Sequence, residues 1–247
     1  MLTRLANPAR FERFARIAEP VAAVAALILF PLGLWFALVA SPPAEDHGQT
    51  VRILYVHVPA AWTMMMAYTA LAVSSFVYYV WRHTLADVAA RAIALPGVVM
   101  TALCLVTGSL WGKPAWNTWW QWDGRMTSVL LLFFIYLAWF AVRELDEDRA
   151  KSARLASILA MVGFVNIPII KFSVDWWASL HQTATVSMPD APGLAGPLAT
   201  PLALMMAAYT AFFAWFVLRH MRGTVRTMRN ARRDRPVPTL TIETVST

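Results

Sequence analysis

Residues 92–127 read AIALPGVVMTALCLVTGSLWGKPAWNTWWQWDGRMT. The part up to Trp111 carries no charge and, as a helix, is long enough to cross a hydrocarbon core about 30 Å thick. Beyond it the character changes: five tryptophans fall between positions 111 and 122, Asp123 and Arg125 follow, and another apolar run opens at 127. Working outward, further apolar runs lie at about 20–41, 57–81, 127–142, 155–171 and 200–218, which with 92–111 makes six. Hydrophobic residues make up 59% of the 247 positions and charged ones 14%, far outside the balance of a soluble domain. The expectation is an all-α integral membrane protein, a single domain of six transmembrane helices over 1–247. Its basic segment 220–247 is expected to be a disordered cytoplasmic tail.

Lysines and arginines orient the chain, because basic flanks stay in the cytoplasm. Of the 21 such residues, all but Arg52, Lys113, Arg125 and Lys171 fall in the N-terminal tail, the second and fourth connections, or the C-terminal tail. Both termini are therefore expected in the cytoplasm, with the tryptophan loop on the periplasmic face of a bacterial inner membrane. The same distribution accounts for the net charge of +7 without nucleic acid. Cys104 is the single cysteine and lies inside an apolar run, so neither a disulfide framework nor a cysteine metal site is available. The Arg-rich residues 1–19 precede a run about twice as long as a signal-peptide core, so the first span reads as a retained anchor.

The outward connections, 42–56, 112–126 and 172–199, are the long ones, and chemistry is expected there. Gly112 and Pro114 are expected to break the third helix. At about 100° per residue, Trp116, Trp119, Trp120, Trp122 and Asp123 then share one face of a short helix lying in the membrane interface. One or two interfacial tryptophans would be ordinary membrane anchors; five in one loop, with an acid and an arginine, ask for more.

Two histidines stand at the outer ends of spans, His57 in YVHVPAAW and His181 in DWWASLHQ, each with tryptophan nearby: Trp62, and Trp176 and Trp177. Imidazoles can ligate iron from opposite sides, indole faces can stack on a macrocycle, and Arg or Lys can pair with propionates, so haem fits each element. A histidine at a helix end is also a common hydrogen-bonding residue, which leaves that alternative open. His47, His83 and His220 sit beside charged residues and read as solvated.

WGKPAWNTWWQWDGRMT resembles the tryptophan-rich WWD signature of haem-handling membrane proteins. HVPAAW and SVDWWASLHQ are similar to the two histidine segments of the CcmC family, the haem exporter C component of bacterial cytochrome c maturation. The resemblance covers the six-span layout and the stretch from about Tyr55 to His181, with Asn117 where the family usually has glycine. It implies a role in presenting haem b, transiently bound, at the outer leaflet. His57 and His181 would be axial ligands, and the loop of Trp111, Trp116, Trp119, Trp120 and Trp122 the platform. Lys113, Arg125 and Arg52 would face propionates, and Asp123 would orient Arg125 or cap the fourth helix. Pro59, two residues after His57, suits a first helical turn that points the imidazole out of the second span. The implied partners are a periplasmic haem chaperone, ABC transporter permease and ATPase subunits, and a small one-span accessory subunit.

Two other classes compete. A b-type electron-transfer cytochrome would hold its histidines mid-membrane, and here both lie at span ends. A permease subunit would carry intramembrane charges or broken helices, for which Asn166 with Pro168 and Pro96 with Gly97 are the candidates. No GxxxxGK[ST] loop occurs, so ATP hydrolysis would come from another chain and no enzyme is expected.

Overall fold

In a computed structural model, residues 7–44, 48–145, 147–177, 179, 181 and 198–234 are described. They form helices α1 (Pro8–Trp35), α2 (Val51–Trp81), α3 (Thr84–Trp116), α4 (Gly124–Glu144), α5 (Arg149–Gly163), α6 (Asn166–Trp176) and α7 (Ala199–Arg233). Taking α1 with its terminal π-helical turn Phe36–Ala40, and α5 with α6, six helical stretches are long and apolar enough to cross a membrane. Each apolar run of the sequence falls on one of them. The helices outrun the apolar segments, at both ends for α3, α4, α7 and the α5–α6 span and at the N-terminal end for α1 and α2, because a polar side chain leaving the hydrocarbon does not interrupt the backbone ladder.

The fifth span is interrupted after Gly163, where Phe164 and Val165 leave the regular helix and Asn166 restarts it ahead of Pro168. The Asn166 side chain donates to the Ser128 carbonyl of α4 at 2.7 Å. This is a kink satisfied by a neighbouring helix.

α2 packs along α3 and α1 along α7, while α4 and α5 close the bundle over α2 and α3. At its centre Tyr68 of α2 and Tyr136 of α4 meet edge to face, centroids 5.1 Å apart. The Tyr136 hydroxyl lies against Gly97 of α3 and the Tyr68 hydroxyl against Gly163 of α5. Both hydroxyls are buried without a hydrogen-bond partner among the described residues, so shape decides their place.

At the end opposite the tryptophan loop, ion pairs fasten the helices. Arg143 of α4, buried, forks onto Asp87 of α3 at 2.6 and 3.1 Å, and Arg91 joins at 3.2 Å. Glu12 and Glu19 of α1 pair with Arg219, Arg222 and Arg226 of α7. These contacts carry α7 as a helix to Arg233, well into the segment 220–247 that composition reads as disordered. The tail beyond Asp234, like His47 and residues 182–197, lies outside the described residues.

The tryptophan loop forms no interfacial helix. α3 runs through Gly112 and Pro114 to Trp116, and residues 117–123 are irregular. Pro114 falls in the last turn, where its missing N–H costs one bond at most. Gly112 serves close approach instead, since a Cβ there would lie 3.0 Å from the Thr118 carbonyl oxygen as the chain doubles back. What ends the helix is Asn117, at φ 57° and ψ 19°, a left-handed conformation that asparagine tolerates.

Candidate functional site

His57 sits within α2, which begins at Val51, and Pro59 lies inside that helix, not in its first turn. The imidazole therefore turns toward α3, where its Nδ1 meets the Thr107 hydroxyl at 3.0 Å and its Cε1 would lie 3.1 Å from a Cβ on Gly108. The absence of a side chain at 108 makes room for the ring. The Thr107 hydroxyl donates its own proton to the Leu103 carbonyl at 2.6 Å. Its oxygen is thus the acceptor toward the histidine, Nδ1 carries the proton, and the Nε2 lone pair stays available.

His181 lies beyond the end of α6, and its Nδ1 lies 2.6 Å from Asp123 Oδ2. Asp123 is the N-cap of α4: its Oδ1 accepts from the Met126 N–H at 2.8 Å, while Oδ2 takes His181 and, at 2.5 Å, the Ser179 hydroxyl. Ser179 also accepts from the His181 backbone N–H at 3.1 Å. Burial pushes the Asp123 carboxyl up, but the hydrogen bonds from Ser179, Met126 and His181 outweigh it and hold the group below the usual carboxylate value. Burial likewise pushes His181 below its ordinary value of 6.5, and the carboxylate opposes this without overcoming it. At neutral pH the pair is therefore a carboxylate accepting from a neutral imidazole, again protonated on Nδ1 with Nε2 left for a metal.

Arg125, in the first turn of α4, bears electrostatically on both imidazoles. The Arg125 guanidinium reaches the Lys171 carbonyl of α6 at 3.5 Å and feels Asp123 and Asp175. Trp116, the last residue of α3, stands edge to face with His181 at 4.7 Å. Trp111, half-buried, lies earlier on α3.

The remaining members of the expected set are placed differently. Trp120 meets Trp122 edge to face at 5.4 Å, and its buried indole N–H has no acceptor among the described residues. Trp119 and Trp122 are 54% and 74% exposed, with the Trp119 carbonyl held by Ser109 at 2.7 Å. Lys113 is engaged by Asn117, donating to its carbonyl and its side-chain oxygen at 3.3 and 3.2 Å. Arg52 stands in the first turn of α2. Asp123 caps α4 as expected; its stronger tie, to His181 rather than Arg125, is new. Sequence reasoning also missed Thr107 and Ser179. Ser179 stood two residues before His181, whereas nothing local marks Thr107, which matters only because α3 packs on α2.

A macrocyclic iron ligand held from both faces needs two imidazoles presenting unprotonated nitrogens, an aromatic wall and a nearby cation. Each histidine here is fixed in the tautomer that offers Nε2, Trp116 borders one of them and Arg125 bears on both, so the residues fit haem.

The family model described as heme exporter protein C (CcmC) matches residues 1–235. Heme exporter protein C of Bradyrhizobium diazoefficiens is 44% identical over 224 residues, covering 91% of this chain and 85% of that protein. The protein of that name from Haemophilus influenzae is 38% identical, covering 88% of each chain. That of Escherichia coli K12 is 36% identical, covering 94% of this chain and 93% of its own. The family match spans nearly the whole chain and includes both histidine segments and the tryptophan loop, and the chain belongs to the heme exporter protein C family.

Proposed function

We propose that this multi-pass inner-membrane protein takes part in haem export for cytochrome c maturation, binding haem b transiently and delivering it to a periplasmic haem chaperone. The relatives' name, heme exporter protein C, supports the broader role. The observation that carries the finer reading is the pairing of His57 with Thr107 and of His181 with Asp123, which leaves both Nε2 atoms for iron. His57 and His181 are the axial ligands. Trp111, Trp116, Trp119, Trp120 and Trp122 supply the aromatic platform, whose exposed members, Trp119 and Trp122, are open to the chaperone. Arg125 is the cation for a propionate; Lys113, engaged with Asn117, would join after releasing it.

The site stands at the tryptophan-loop end, which the distribution of basic residues assigns to the periplasm. Haem would supply the iron and be taken covalently on the chaperone's own histidine; the chain binds, orients and releases. In this reading the chain is a delivery protein served by ABC transporter permease and ATPase subunits and a small one-span subunit.

The test is the absorption spectrum of the purified protein, reduced and oxidised, with and without the chaperone co-expressed. The wild type should show a six-coordinate low-spin spectrum and accumulate a complex with the chaperone, and His57→Ala and His181→Ala should each abolish that spectrum. An unaltered spectrum in both variants would overturn the ligand assignment.

A further inference from the structure

The two histidines differ in what stands behind them. Thr107, behind His57, is a neutral hydroxyl already committed to the Leu103 carbonyl, with the Cys104 carbonyl a further 3.3 Å contact. It can accept the Nδ1 proton but does not draw it away. Behind His181 stands a buried carboxylate at 2.6 Å. A carboxylate there pulls the Nδ1 proton toward itself, gives the ring imidazolate character and strengthens Nε2 as a donor.

The carboxylate is itself tempered. Oδ1 is occupied by the Met126 N–H at 2.8 Å, and Oδ2, the atom that holds His181, also receives the Ser179 hydroxyl at 2.5 Å. The hydroxyl withdraws negative charge from the oxygen that would otherwise polarise the imidazole. Through the shared oxygen Asp123 and Ser179 act on one ligand in opposite senses, the Ser179 oxygen itself standing a further 3.3 Å from the His181 Nδ1. Among the described residues His57 has no carboxylate behind it, its partners being the Thr107 hydroxyl and the Cys104 backbone carbonyl.

We infer that Asp123 and Ser179 are positioning residues that set the donor strength of His181, making it the stronger of two unequal axial ligands and lowering the reduction potential of bound haem. This rests on the haem-binding reading above. Electron donation favours ferric over ferrous iron, and second-shell hydrogen bonding is one of the levers a protein has on that balance.

The experiment is a spectroelectrochemical titration of the full-length, haem-loaded protein in detergent, comparing wild type with Asp123→Asn, Ser179→Ala and Thr107→Val. Asn at 123 keeps an oxygen to cap α4 while losing the charge, so the helix start survives. The expected result is a rise in potential for Asp123→Asn, a fall for Ser179→Ala, and a smaller shift for Thr107→Val than for Asp123→Asn. Shifts of the same sign in the first two, or a Thr107→Val shift as large as that of Asp123→Asn, would overturn the inference. Should Asp123→Asn fail to retain haem, Ser179→Ala decides alone: an unchanged or raised potential refutes it. A wild type that holds no haem would instead refute the haem-binding reading.

Discussion

Thr107 and His57 lie 50 residues apart in sequence and meet at 3.0 Å across the α2–α3 interface, the threonine oxygen fixing which imidazole nitrogen faces outward. Thr107→Val keeps the shape and removes the acceptor. Haem affinity should fall by about tenfold, the lower edge of what lost outer-shell partners cost metal sites. Thr107→Ser should restore it. Haem titration followed by absorbance measures both, and equal affinities for the valine variant and the wild type would show that the contact does not orient the ring.

A second prediction concerns Gly97 and Tyr136. A methyl on residue 97 would intrude on the Tyr136 hydroxyl, which has no hydrogen-bond partner to lose among the described residues. Gly97→Ala should destabilise the bundle by about 1–3 kcal/mol, the usual cost of overpacking. Tyr136→Phe should be near neutral alone, and the double variant should recover much of the loss, a non-additivity that contact between the two sites requires. Thermal unfolding in detergent reads all three.

The left-handed Asn117 gives a third. Asn117→Gly, which installs the residue usual in the family, should leave stability nearly unchanged, because glycine enters that region freely. Asn117→Val should cost about 1–2 kcal/mol from the clash of a branched side chain in the same conformation. An unaffected melting temperature in the valine variant would mean that the loop re-forms differently.

The dependence on pH follows from His181. Burial holds its pKa below 6.5, so the imidazole is neutral above that value and protons begin to compete with iron only beneath it. Haem binding should be flat above pH 6.5 and weaken as pH falls through the lowered pKa. The same sign governs folding: the unfolded chain takes up a proton at His181 that the folded chain refuses, so acidification below 6.5 costs stability. Asp123 adds its own loss only in stronger acid, below 3.8, where its depressed carboxyl finally protonates. Binding that rises as pH is lowered toward about 6 would contradict the neutral-imidazole ligand.

The positions of the spans, His57, His181, Trp116, Asp123 and Arg125 could all be read from spacing and residue type, because hydrophobic length and chemical identity are local properties. The errors came where local rules competed with packing. Gly112 looked like a helix breaker but is the gap through which the loop returns, and Pro59 looked like a helix start but lies within α2, where membrane helices tolerate proline. The helical wheel that gathered four tryptophans and Asp123 on one face assumed a helix that Asn117 ends before it begins. Partners such as Thr107 for His57 and Ser128 for Asn166 depend on the mutual register of two helices, which no window of sequence contains.

The clasp of Glu12 and Glu19 with Arg219, Arg222 and Arg226 bears on how the chain is made. Its halves are separated by 200 positions, from Glu19 to Arg219. Helix α1 therefore waits with its carboxylates unmatched by these arginines until α7 has been synthesised, and its seat in the bundle is settled only then. A chain truncated before Arg219 would leave α1 without these cationic partners, so synthesis of α7 is itself a condition for closing the bundle.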